Sequence, residues 1–150
     1  MSKNEEKTFY VCWLLENLGR RLHKHKSELV KEISRWRLDK LYELDDVYHC
    51  MDVDSVVDDL IEEFDIHRGM YNPLGMLNYR TPGTDEIART YANIIKRNYD
   101  DDITGIIDVF DNPVVKVLED YNTAMYYSDQ DFISACFRMG NVKSEYYDMT

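Results

Sequence analysis

Residues 52–66 read DVDSVVDDLIEEFDI, and the order of apolar and acidic positions in this stretch decides the fold class. Val53, Val56/Val57, Leu60/Ile61 and Phe64 recur at three- and four-residue intervals, which places them on one stripe of a helix. Asp54, Asp58, Glu62 and Asp65 fall on the opposite side, while Asp52, Asp59 and Glu63 line a flank. Gly69 follows as a stop signal. The stretch is an amphipathic helix whose polar side is almost wholly carboxylate.

Outward from it, the same period recurs. Val11, Leu14/Leu15, Leu18 and Leu22 mark a first helix, with Ser2-x-x-Glu5 as its capping box. Ser27 can cap a second helix carrying Leu29/Val30, Ile33, Trp36 and Leu41, which makes a hairpin with one basic face. Downstream, Thr84 caps a helix bearing Ile87, Tyr91 and Ile94/Ile95; Ile103, Ile106/Ile107 and Phe110 form the next pattern. Asn112-Pro113 opens a helix with Val114, Val117/Leu118 and Tyr121. Ser128-x-x-Asp131 starts a last one with Phe132/Ile133, Cys136 and Met139, closed by Gly140. No segment alternates with the period of a strand. The expectation is an all-α protein, a single helical domain over residues 1–150 built as one compact bundle of six to seven helices.

Between the acidic helix and Thr84, residues 69–83 contain Gly69, Pro73, Gly75, Pro82 and Gly83, and form the longest loop. Met70, Tyr71, Met76, Leu77 and Tyr79 make it an expected packing or binding surface, which leaves a homodimer open.

Charge narrows the function. The 150-residue chain carries a formal net charge of −11, which argues against direct nucleic-acid or membrane binding and favours a basic protein partner. Residues 1–40 hold ten Lys/Arg against six Asp/Glu, whereas residues 43–65 hold ten carboxylates and no Lys or Arg. The acidic block is either folded against the basic face or offered to a partner. The like-charged i,i+4 pairs Asp54/Asp58, Asp58/Glu62 and Asp59/Glu63 each cost a few tenths of a kcal/mol. Glu62, Glu63 and Asp65 also lie at the negative end of the helix dipole, an arrangement selected for something other than helix stability.

Nine of the twelve tyrosines lie from Tyr71 onward, several beside acids, and tyrosine is enriched at interfaces. Tyr91 and Tyr121 are core-facing by their spacing, and Tyr126, Tyr127, Tyr146 and Tyr147 are the surface candidates. The expected partner-binding residues are Asp54, Asp58, Asp59, Glu62, Glu63, Asp65, Tyr126, Tyr127, Asp129 and Asp131.

Chemistry is less well served. Asp52-x-Asp54 and Asp100-Asp101-Asp102 do not continue as calcium loops, and Asp46…His49 is single where a di-iron bundle needs two such units. His23-x-His25 points two rings apart, and Glu63 with His67 supplies only two ligands. There is no Gly-x-Ser-x-Gly, phosphate loop or dinucleotide fingerprint. Cys12, Cys50 and Cys136 are scattered among apolar neighbours and read as buried thiols of a reducing compartment. The apolar run Phe9–Leu15 is too short for a signal peptide or a membrane span. The chain is therefore expected to be cytoplasmic, not an enzyme, and without metal or cofactor.

In its size, its Glu43–Asp65 carboxylates and its tyrosines set beside acids, the chain resembles the small acidic immunity proteins of bacterial toxin–immunity pairs. The resemblance is one of general character over the whole chain, so no site residue is carried over from it. It implies a tight one-to-one complex with a cognate toxin, often a basic nuclease. The alternatives are a phage-type antagonist that mimics nucleic acid and a metal-dependent hydrolase with carboxylates and His converging in a cleft.

Overall fold

A computed structural model describes residues 2–44, 50–71, 82–119 and 126–140, and every regular element within them is a helix. There are eight among the described residues: α1 Lys3–Leu22, α2 Lys26–Ile33, α3 Arg35–Glu43, α4 Val53–Phe64, α5 Thr84–Asn98, α6 Asp102–Asp111, α7 Val114–Leu118 and α8 Gln130–Met139. The all-α bundle read from the periodicity is the fold.

The longest helix, α1, starts on the expected capping box. Ser2 Oγ accepts from the Glu5 backbone N–H at 3.2 Å, and Glu5 accepts from the Ser2 N–H at 3.3 Å. Its apolar stripe, Val11, Leu14, Leu15, Leu18 and Leu22, is buried. Against it lies α5, antiparallel: Trp13 Nε1 donates to Thr84 Oγ1 at 3.2 Å near one end, and Lys96 pairs with Glu5 at the other. Thr84 is thus the first helical residue rather than the cap, a position taken by Gly83. Beyond α5, α6 approaches closely at Gly105, where a Cβ would come within 2.7 Å of Ile95 Cγ2.

The segment read as one helix from Ser27 to Leu41 is two. Ser34 adopts φ 76° and ψ 160°, a conformation favoured by glycine, and the chain turns there between α2 and α3. His25, not Ser27, occupies the N-cap of α2, and Glu28 reaches back to accept from the His25 N–H at 3.4 Å. The break resets the helical phase. Leu38 and Leu41 stay buried, but Trp36, expected in the core, is 65% exposed.

Packed on α1 is α4. Asp52 caps it by accepting from the Ser55 N–H at 3.3 Å, and Val56, Val57 and Leu60 fill the core as their spacing requires. The helix stops at Asp65, whose φ of 51° is left-handed, four residues before the expected Gly69. Gly69 serves a close approach instead. Its N–H donates to the Leu22 carbonyl at 2.7 Å, and a Cβ there would stand 2.6 Å from the His23 carbonyl oxygen. Residues 66–71 thus run back against the α1–α2 corner, where Tyr71 stacks on His25 with centroids 3.6 Å apart. Most of the Met/Tyr-rich loop, including Met76, Leu77 and Tyr79, lies outside the described residues.

At the C-terminal side, Asn112 Oδ1 accepts from the Val114 N–H at 3.0 Å to start the short α7, and Asp129, rather than Ser128, precedes α8. Gly140 ends α8 at φ 74°, as read from the sequence. Met139 is exposed and not part of the core. Cys12 and Cys136 are buried as expected, but Cys50 is exposed.

One part of the interior is ionic. Lys26 Nζ pairs with Glu16 and lies 3.2 Å from Glu119 Oε1. Glu119 Oε2 meets His25 Nδ1 at 3.3 Å, and Arg20 Nε donates to Glu16 Oε2 at 2.8 Å. The side chains of Glu16 and Lys26 are 5% exposed and that of Glu119 is 2%. The Tyr91 ring lies 4.9 Å from the ammonium. None of this was legible as a unit, because the three charges come from α1, α2 and the residue after α7.

Candidate functional site

The carboxylates of α4 sort into two sets. Arg21, in the last turn of α1, pairs with Asp58 and reaches Asp54 at 3.3 Å, because α4 lies alongside α1 there. That partial neutralisation is the inward pairing that the charge asymmetry left open. It stops at those two residues. No ion pair among the described residues reaches the exposed Asp59, Glu62 or Glu63.

Three other cations of residues 20–40 are committed elsewhere. Arg20 donates to Glu16 and to the Pro82 carbonyl at 2.7 Å, Lys24 pairs with Glu32, and Arg35 reaches Asp101 at 3.0 Å. Lys7, from α1, is the partner of Glu43 at 3.5 Å. Asp65 has His67 3.9 Å away at the exposed end of α4. Asp45 and Asp46 lie outside the described residues.

At its C-terminal end, α4 meets α3. The Arg37 guanidinium carbon lies 4.9 Å from the centre of the Phe64 ring and 5.5 Å from that of Trp36. The guanidinium thus faces both the exposed indole and Phe64, which ends the turn that bears Glu62 and Glu63. The last turn of α4 contains no basic residue, so nothing within the helix offsets those carboxylates against its dipole. Trp36, Arg37 and Phe64 were not among the residues expected at a surface site. Helical spacing places the indole in the core, and only the bend at Ser34 brings it out.

The tyrosine half of the expected surface lies elsewhere. Tyr126 and Tyr127 meet edge-to-face at 5.1 Å, next to α5, over a shallow depression lined by Asp85, Glu86, Arg89, Thr90, Tyr126 and Gln130. Tyr126 is half-buried, and burial pushes its phenol up to about 12. Asp131 is paired with Arg97, while Asp129 is exposed ahead of α8. Because α4 packs on α1 and α8 packs on α5, the packing order α4–α1–α5–α8 divides the ten expected residues into two groups. Tyr146 and Tyr147 lie outside the described residues.

For chemistry the described residues offer little. They contain no group of three His, Cys, Asp or Glu placed to share a metal ion. Burial pushes the Cys12 thiol up to about 12, so it is not a thiolate at neutral pH. Among the described residues no helix is long and apolar enough to cross a membrane.

Comparison of the chain with protein-family models, with curated proteins and with solved structures found no match.

Proposed function

We propose that this protein works by binding: an inhibitor of the immunity type that covers a basic partner, a cognate nuclease-type toxin, with the outer face of α4. The observation that carries the reading is that Asp59, Glu62 and Glu63 are exposed, with no ion pair among the described residues, on the helix whose Phe64 shares the Arg37 guanidinium with the exposed Trp36. Carboxylates of this kind form strong charge-assisted hydrogen bonds to Arg and Lys, and their field accelerates encounter. Trp36 supplies what carboxylates cannot, a rigid apolar contact of the type that dominates interface energetics. The acids lie on a 12-residue helix about 18 Å long and form a compact patch, which supports a cognate inhibitor over a mimic of extended nucleic acid.

The test is affinity capture from native lysate with wild-type protein and with the double reversal Asp59→Lys, Glu62→Lys. The wild type is expected to retain a basic protein whose toxicity or nuclease activity it suppresses, and the double variant to lose it. Asp58 is a poorer choice for reversal because it would also break the pair with Arg21. Undiminished capture by the double variant would remove α4 from the interface.

A further inference from the structure

We propose that the α5–α8 junction binds a single dianionic phosphate group, free or as the monoester of a small molecule, between Arg97 and Arg138. Asp131, Ser134 and Arg138 stand at i, i+3 and i+7 on α8, on the stripe that meets the end of α5. Arg97 comes from the last turn of α5, and these four residues line one shallow depression. The site belongs to helices other than α4 and does not rest on the inhibitor reading.

Arg138 is held in position by its neighbours. Its Nη1 donates to Asn98 Oδ1 at 3.0 Å and to Ser134 Oγ at 3.4 Å. Asn98 is fixed in turn, since its Nδ2 donates to Ser134 Oγ at 2.9 Å and to the Ile94 carbonyl at 3.0 Å. Ser134 is 2% exposed, and its hydroxyl accepts from both neighbours, which leaves its own proton to donate. The guanidinium of Arg138 meets no carboxylate among the described residues. That of Arg97 is paired with Asp131, whose side chain is 83% exposed, and an exposed pair of this kind is weakly held.

Two guanidinium cations thus open on one depression with a single carboxylate between them, which leaves a positive excess in an acidic protein. The dipoles of α5 and α8 account for an arginine in each last turn, but not for both facing the same depression. A carboxylate presents one edge and is satisfied by one guanidinium, as Asp131 is by Arg97. A phosphate group presents three oxygens, enough for both arginines and the Ser134 hydroxyl. Its charge of about −2 matches the two cations once Asp131 swings into water, so Asp131 is a competitor that the ligand displaces. The net charge of −11 disfavours a nucleic-acid strand here, whereas a small phosphate feels chiefly the charges within a Debye length of about 8 Å.

The experiment is a nuclear magnetic resonance titration of the full chain with inorganic phosphate at about pH 7.5 and constant ionic strength, read at the arginine Nε–H and backbone amide signals. Saturable shifts at Arg97, Asp131, Ser134 and Arg138 are expected, and acetate should bind at least about tenfold more weakly. Arg138→Gln and Arg97→Gln should each weaken phosphate binding about tenfold or more, and Arg97→Gln breaks only an exposed pair, so it keeps the fold. Asp131→Asn should tighten binding about threefold by removing the competitor. Ribose 5-phosphate separates the two sources: tighter binding than inorganic phosphate assigns the site to a small ester, and equal or weaker binding assigns it to the free ion. Unsaturable shifts spread over the other lysines and arginines, binding unchanged in Arg97→Gln, or binding weakened in Asp131→Asn would each overturn the site.

Discussion

The Arg37 guanidinium carbon sits 4.9 Å from the centre of the Phe64 ring, and that contact links α3 to the end of the acidic helix. The same guanidinium faces Trp36, so one cation organises the aromatic side of the surface and does not neutralise its carboxylates. A basic residue that solvates an aromatic pair leaves neighbouring acids free to act outward.

Trp36→Ala separates binding from folding. The indole is largely exposed, so unfolding free energy should change by less than about 0.5 kcal/mol. Affinity for the captured partner should fall by about 2 kcal/mol or more, as expected of a central aromatic anchor. Chemical denaturation and calorimetric titration measure the two. A large stability loss with unchanged affinity would return Trp36 to a structural role.

Electrostatic steering predicts a salt dependence. With Asp59, Glu62 and Glu63 unneutralised, the association rate for the partner should fall as ionic strength rises from low to physiological values. In the double reversal Asp59→Lys, Glu62→Lys this slope should flatten or invert, as stopped-flow kinetics would reveal.

Lys26→Met leaves Glu16 and Glu119 facing each other in a dry site. Breaking a buried ion network from one side costs about 3–5 kcal/mol, so this substitution should be among the most damaging in the protein. Urea unfolding at neutral pH checks it, and a loss under 1 kcal/mol would mean that water reaches the network in solution.

Two backbone positions predict opposite signs. Gly69→Ala puts a methyl 2.6 Å from the His23 carbonyl oxygen, so the corner must shift at a cost of about 1–3 kcal/mol. Ser34→Gly relieves a positive-φ residue whose buried hydroxyl has no hydrogen-bond partner, and should stabilise the fold by about 1 kcal/mol. Thermal melts of both variants suffice.

Thiol reactivity gives an inexpensive check on packing. Iodoacetamide at mildly alkaline pH should modify the exposed Cys50 and spare Cys12, which is buried and far from ionising. Labelling of Cys12 at a rate comparable to Cys50 would mean that α1 is not held as described.

The helices were legible because each carries its own record. Val53 to Phe64 repeats at 3.6 residues, Ser2 and Glu5 form a local box, and Gly140 closes α8, all without reference to distant residues. Errors arose where a local signal competed with a contact made elsewhere. Thr84 looks like a cap, but its hydroxyl is taken up by Trp13, 71 residues earlier in the chain. Gly69 looks like a helix stop, but it is small because the His23 carbonyl passes beside it.

For the site, sequence alone established the acidic stripe of α4 and its excess of charge, since both follow from spacing within one helix. Which carboxylates remain available was a tertiary matter: Arg21 reaches Asp54 and Asp58 only because α1 and α4 lie side by side. The exposure of Trp36 depends on the turn at Ser34, and the burial of Lys26 on three segments that meet in space. Periodicity is a property of one helix and can be read along it. Counter-ions and exposure are properties of pairs of elements, and only the folded chain chooses the pairs.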